Sequence, residues 1–387
     1  MIQGTSTNGK KPLLRISFVG DIALNGGYEK LREEETSSLG SAVSCLLSQS
    51  DLAIGNLEGP LTTSADPGPP WRFNLHGNPK YVPILRSAGF HVLSLANNHI
   101  MDHGRQGLEE TMAHLDANGI QYAGAGRNLA EARKPLLLSI NGTKIGFLAY
   151  CAVPSLFPYY ASEDGPGAAP LKRELVFDDI GRLKKQCDIT VLSIHWGEEH
   201  VALPSPQCRQ LAKELVGAGA SIVVGHHPHV LQGVERREQG VIAYSLGNFT
   251  FSDQQWVGTN KNGESFTMPY ILNERNRRSA VWKVDIDQQK EITQELVPVY
   301  LDRDLLPKPD GRPERIDEMA KINATLTSGG YGRIWRLNMI SRRVKTVLAE
   351  LRGERSLVSR LLQARPRHLR VVAQTLVREW DHFRGLE

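Results

Sequence analysis

Residues 13–300 alternate short apolar runs with amphipathic stretches, and most of the apolar runs end on Asp, Glu, Asn or His. The runs Leu14–Gly20, Leu52–Asn56, His91–Ala96, Leu136–Ile140, Lys144–Ala149, Ile189–His195, Ser221–Gly225, Val241–Ser245 and Ala280–Ile286 predict strands. Apolar residues at helical spacing predict helices over Leu39–Ser48, Tyr81–Ala88, Gly107–Asn118, Phe177–Gln186 and Pro206–Ala218. Such alternation predicts a layered α/β fold with packed sheets. Asn141-Gly142, set between two of the runs, signals a tight hairpin. Beyond Leu301 the texture changes. Pro307, Pro309 and Pro313 read as a linker, and helices are expected at Arg315–Leu326, Ile334–Leu351 and His368–Trp380. The expected organisation is a body over residues 1–305 and a basic helical extension over 306–387.

Polar residues placed directly after strands decide the functional argument. In open α/β sheets, sites form beyond the carboxyl ends of the strands. Asp21, Glu58, Asn97-Asn98-His99, His195 and His226-His227-Pro228-His229 all occupy such positions.

Composition narrows the classes. The chain has 387 residues, 40% of them apolar and 23% charged, which suits a globular protein with a large core. The formal net charge of +4 hides an asymmetry: residues 331–387 hold 13 Lys and Arg against 5 Asp and Glu, a net of +8, so the rest of the chain carries −4. Nucleic-acid binding by the body is disfavoured, and the tail lacks the aromatic or motif support for it. Cys45, Cys151, Cys187 and Cys208 form no C-x-x-C pair and read as reduced, buried thiols. No leader pattern and no membrane-length apolar window is visible. The expectation is a soluble, cytoplasmic protein that can lie peripherally on a membrane.

Each polar segment has an ordinary structural use beside a chemical one. Asp21 after Gly20 offers a carboxylate in a tight loop, but a turn or a helix cap uses Asp equally well. Alternation puts Asn56 and Glu58 on one face of their strand end. Asn97-Asn98-His99 through His103-Gly104 is more polar than a turn requires; His99 is a candidate ligand or proton donor, with Asp102 placed to hold its ring. A lone His195 would read as a core histidine. Three His in four residues at His226–His229 are another matter: in an extended loop stiffened by Pro228, His227 and His229 share a face and can chelate. This set of O and N donors, without sulfur, suits Mn, Zn or Fe(II) at an open catalytic site. Two ions ~3.5–4 Å apart, bridged by a carboxylate, would use this many ligands. Ser245-Leu246-Gly247-Asn248-Phe249 adds a loop at the same rim.

Taken in order, Gly20-Asp21, Asn56-Leu57-Glu58, Ala96-Asn97-Asn98-His99 with Asp102 and Gly104, His195-Trp196-Gly197, Gly225-His226-His227-Pro228-His229-Val230 and Ser245–Phe249 resemble the CapA family. These are capsule and poly-γ-glutamate biosynthesis proteins within the calcineurin-like metallophosphoesterase superfamily. The resemblance implies a four-layer αββα sandwich with metals at the sheet edge. It carries ligand roles onto Asp21, Glu58, Asn98, His195, His227 and His229, and an acid role onto His99, oriented by Asp102. Arg72, His76, Asn97, His226, Trp196 and Asn248 are the substrate-side candidates. Two departures stand out: Ala23 replaces the His of the superfamily's Asp-x-His, and Glu58 replaces its usual Asp. The implied activity is metal-dependent hydrolysis of a phosphoester or amide in an anionic small molecule or polymer, with two divalent ions. The rival is a non-catalytic accessory subunit of a polymer synthesis or export complex. In either case the basic C-terminal helices would meet a membrane surface or a protein partner.

Overall fold

The computed structural model describes residues 13–64, 74–153, 159–237, 240–259 and 264–352. Two mixed sheets form its centre. In the larger, the strands run in the order Pro307–Pro309, Ile292–Leu301, Arg278–Ile286, Leu14–Ile22, Leu52–Leu57, Val92–Ser94 and Gln121–Ala123, with Asn248–Thr250 also paired to Leu14–Ile22. In the second the order is Val234–Arg237, Gly240–Ala243, Ile222–His226, Ile189–His195, Thr143–Cys151 and Leu136–Ile140. Phe18, Ile54 and Leu93 of the first sheet share one apolar core with Phe147, Val191 and Val224 of the second. Helices Glu33–Leu47, Val82–Ser87 and Gly104–Ala117 accompany the first sheet, and Arg173–Leu183 and Pro206–Ala218 the second. This is the αββα arrangement. It explains why Leu52–Leu57 and Ile189–His195 are buried along their whole length: a parallel strand covered on both faces has no solvent side.

The hairpin closes through Asn141 and Gly142, both at positive φ (49° and 78°), with Ile140 paired to Thr143. The linker expected at Pro307 and Pro309 is instead an edge strand, antiparallel to Ile292–Leu301. An edge position tolerates proline because one side of the strand makes no ladder bonds. Pro313 begins the helix Pro313–Thr327, where the missing N–H costs nothing. That helix packs on the body rather than with an appendage. Met319 joins the main core, Leu326 is fully buried, and Asn323 accepts a hydrogen bond from the Val234 N–H at 2.8 Å. The compact unit therefore runs through Ser328. The second unit begins at Gly329, and its described part is one helix, Tyr331–Arg352. The helix expected at His368–Trp380 lies outside the described residues. Among the described helices none is long and apolar enough to cross a membrane. The expectation of buried thiols needs correction: all four cysteines are free, but only Cys151 is buried and Cys45 is exposed.

Candidate metal centre

The carboxyl ends of both sheets meet at one place, and strand register assembles the site there. Asp21 pairs with Asn56 on one side and Asn248 on the other, and His195 pairs with His226 in the second sheet. Close backbone approach makes this possible. A Cβ on Gly20 would sit 1.8 Å from the Gly247 carbonyl oxygen, and one on Gly225 would sit 2.0 Å from that of Tyr244. Glycine is required at both positions for steric reasons.

Asp21 is fully buried. Its Oδ1 accepts from Asn56 Nδ2 at 2.9 Å, its Oδ2 accepts from the His227 N–H at 3.3 Å, and His229 Nδ1 lies 3.5 Å from Oδ2. Burial pushes its carboxyl up, but the nearby His226, the charge of His229 and the Asn56 amide outweigh that and leave it below the usual range. Glu58 presents the opposite case. It is buried, and neither carboxylate oxygen has a hydrogen-bond partner among the described residues. Its Oε1 stands between two rings, 3.8 Å from His195 Nε2 and 3.7 Å from His229 Nε2. Burial, with the Asp21 charge adding to it, pushes the Glu58 carboxyl well above its ordinary value. Such a group is costly unless a cation neutralises it. Ligand atoms of Glu58, His227 and His229 all lie within 4.8 Å of one another.

The remaining donors converge on the same space. Asn98 Oδ1 is 2.8 Å from His195 Nε2, and the rings of His195 and His227 are 4.8 Å apart. Burial pushes His195 well below its ordinary value and His227 down to about 3, so both rings are neutral and have a lone pair to give. Asn248 Oδ1 lies 2.9 Å from His229 Nδ1, which turns Nε2 of that ring toward Glu58. The His226–His229 loop is not extended, as its sequence suggests, but turned: His227 and His229 sit at φ of 95° and 55°. Non-glycine residues adopt this region rarely, and it clusters at functional sites. Here it swings both imidazoles inward, where simple alternation would not.

His99 Nδ1 is 2.6 Å from Asp102 Oδ2, and the Leu75 N–H donates to the same oxygen at 2.6 Å. The pair is thus fixed in a buried corner beside the donor set. Four of the substrate-side candidates have other duties. Trp196 is buried, donates to the Tyr244 carbonyl and stacks on that ring, so it supports the loop and is closed to ligand. Asn97 spends its amide on Leu57 O, Asn56 Oδ1 and the His99 N–H, so it braces the site from behind. Asn248 orients His229, and His226 lies 3.4 Å from Asp21 Oδ1 in the same buried layer. His76 is half-exposed against His103, with Glu29 at 3.9 Å. Arg72 lies outside the described residues.

The sequence reading assigned no role to Glu199, His200, Asn276 or Tyr270. Glu199 and His200 follow the same strand as His195, a nearness that could have flagged them. Asn276 reaches the site from a turn 47 residues after His229, and nothing local in the sequence marks it. A separate cavity of about 350 Å³ lies between helix Pro313–Thr327 and Leu203, Leu231 and Val299. It contains none of the candidate ligands, and Arg278 and Arg315 in its wall are paired with Glu318 and Asp310.

Residues 15–253 match the family described as bacterial capsule synthesis protein PGA_cap. The chain is 36% identical over 284 residues to the PGA biosynthesis protein CapA of Bacillus subtilis (strain 168), covering 71% of this chain and 72% of that protein. It is 34% identical over 258 residues to the capsule biosynthesis protein CapA of Bacillus anthracis, covering 64% of this chain and 61% of that protein. Among solved structures, a novel phosphatase of Mycoplasma pneumoniae is similar at 14% identity with a TM-score of 0.48, over 79% of this chain and 96% of that one.

Proposed function

The chain belongs to the bacterial capsule synthesis protein PGA_cap family, and from that premise we propose that it is a metal-dependent hydrolase acting in capsule, exopolysaccharide or poly-γ-glutamate metabolism. One observation carries the reading: Glu58, buried with no hydrogen-bond partner among the described residues, within ligand reach of His227 and His229. Two divalent ions (Mn, Zn or Fe) are the cofactors. Asp21, Glu58, Asn98, His195, His227 and His229 are the residues that would hold them. Such ions, when bound, supply Lewis acidity and lower the pKa of coordinated water.

The chain's own residues do the rest. Asp102, fixed by the Leu75 N–H, holds Nδ1 of His99 and orients the ring. Nε2 of His99 then delivers a proton to the leaving group of a phosphoester or amide. Asn248 and Asn97 keep His229 and His99 aligned. The substrate is an anionic small molecule or polymer, and the +8 tail is the place for an anionic membrane surface or a protein partner.

Ala23 favours a second reading, that of an accessory subunit with a structural metal. It stands where the superfamily has a histidine, and it is packed among Leu75, Phe251 and Leu272. The test is metal analysis with Mn-supported turnover of a generic phosphodiester and a γ-glutamyl peptide. His227→Ala should lose bound metal and turnover together. His99→Ala should keep the metal and lose turnover by ~10²–10⁴. Metal without turnover in the unmodified chain supports the accessory reading, and equal metal loss in both variants defeats the division of roles.

A further inference from the structure

The turn that carries His227 and His229 belongs to no strand or helix, and three successive carbonyls in it are held from outside. The Pro228 carbonyl accepts from the His200 N–H at 2.7 Å, the His229 carbonyl from Asn276 Nδ2 at 3.0 Å, and the Val230 carbonyl from Ser245 Oγ at 2.8 Å. The middle tie comes from farthest along the chain, beyond residues 15–253, the part matched to the family. Asn276 is 2% exposed, and each polar atom of its amide is engaged. Oδ1 accepts from the Asn273 N–H at 3.3 Å, while Nδ2 faces both the His229 carbonyl and, at 2.9 Å, His200 Nδ1. The two ends cannot be exchanged: a carbonyl only accepts and a backbone N–H only donates, so the oxygen belongs toward Asn273 and the nitrogen toward His229. The turn beneath the amide closes without it. The Asn276 and Arg277 N–H groups donate to the Asn273 carbonyl at 3.0 and 3.2 Å, and the Arg275 N–H donates to Asn273 Oδ1 at 2.8 Å.

His229 needs such a tie. Its φ of 55° costs a non-glycine residue free energy, and the conformation persists only where the surroundings impose it. The ring is held separately, with Nδ1 2.9 Å from Asn248 Oδ1 and its centre 5.2 Å from that of Phe251. Those contacts set how the imidazole is rotated, whereas the carbonyl ties set where its backbone lies. Among the described residues, Asn276 Nδ2 is the sole hydrogen-bond donor to the His229 carbonyl. Without it, a carbonyl in a buried residue is left unpaired, and the turn gains by relaxing toward an ordinary φ. Relaxation there would carry Nε2 of His229 away from Glu58 Oε1, now 3.7 Å distant.

Resting on the metal-centre reading above, we infer that Asn276 is a positioning residue: it acts through the His229 carbonyl to hold that imidazole where it can serve as a ligand. The test is equilibrium binding of Mn to the full chain and to Asn276→Ala, Asn276→Ser and Leu14→Ala, with circular dichroism and the metal-free thermal midpoint of each. Leu14 is a core side chain at the opposite end of the strand that carries Asp21, so Leu14→Ala lowers stability without touching the site. Asn276→Ala should bind Mn on the order of tenfold more weakly than the unmodified chain. Asn276→Ser, one bond too short to reach the carbonyl, should do the same, and where only one of the two folds, that one decides. Leu14→Ala should keep the affinity of the unmodified chain although its midpoint falls. Unchanged Mn affinity in a folded Asn276 variant would overturn the inference while leaving the metal centre standing. An equal loss of affinity in Leu14→Ala would show that general destabilisation suffices, and failure of both Asn276 variants to fold would make the residue purely structural; either result overturns it. An unmodified chain that binds no Mn overturns the metal-centre reading, and this inference with it.

Discussion

Glu58 is the residue at which the energetics are most exposed. Its folded-state carboxyl is raised well above the ordinary value, chiefly by burial. A raised carboxyl gives stability that is present below the unfolded value and lost as pH climbs through the folded one. Metal-free protein should therefore lose stability relative to Glu58→Gln as pH rises above the ordinary carboxylate value of ~4.3, as read by thermal midpoints of the two side by side. Saturating Mn should reverse the order at pH 8, because bound metal favours the ionised carboxylate. A gap that stays constant with pH in metal-free protein would contradict this account of Glu58. The residue types at the site were legible in the sequence because each ends an apolar run. The distribution of duties was not. Trp196 and Asn97 look like ligand-facing residues in sequence, and only the Tyr244 carbonyl and the Leu57 carbonyl reveal that they are spent elsewhere.

At the level of elements, the site depends on strands that approach more closely than side chains permit. Gly20 runs beneath the Gly247 carbonyl, and the Asp21 N–H donates to that oxygen at 2.9 Å. Gly20→Ala would force two backbones apart, at a cost of ~1–3 kcal/mol or more. Because Asp21 is the next residue, Mn affinity should fall together with the thermal midpoint; a variant of unchanged midpoint and affinity would refute the packing argument. Strands buried on both faces, such as Ile189–His195, were readable as continuous apolar runs. Ile292–Leu301 was not, since Gln294, Glu295 and Pro298 interrupt it and much of it is half-buried. The exposed hairpin of Gln254–Thr259 and Ser265–Tyr270 escaped for the same reason: without a buried face there is no alternation to read. The turned conformation of His227 and His229 also left no mark, because positive φ at histidine is imposed by surrounding structure rather than by local preference.

At the scale of the whole molecule, the boundary between body and tail falls later than the prolines suggest. Helix Pro313–Thr327 contributes Met319 and Leu326 to the body, and the strand Pro307–Pro309 closes one edge of the larger sheet. A chain ending at Ser328 should keep the thermal midpoint of the body. One ending at Leu305 should lose ~3 kcal/mol or more, from two buried side chains and an uncovered sheet edge. Equal midpoints for the two truncations would return the helix to the appendage. The charge division follows the same boundary: the +8 segment begins at Tyr331, and the acidic remainder includes the donor set. The central claim is that this donor set is a cation site. It is tested most directly by equilibrium binding of Mn to the full chain and to Glu58→Gln, with folding of both verified by circular dichroism. The account predicts saturable binding to the unmodified chain, weakened at least ~10-fold in the variant. Equal binding by the two, or none by the unmodified chain, would contradict it.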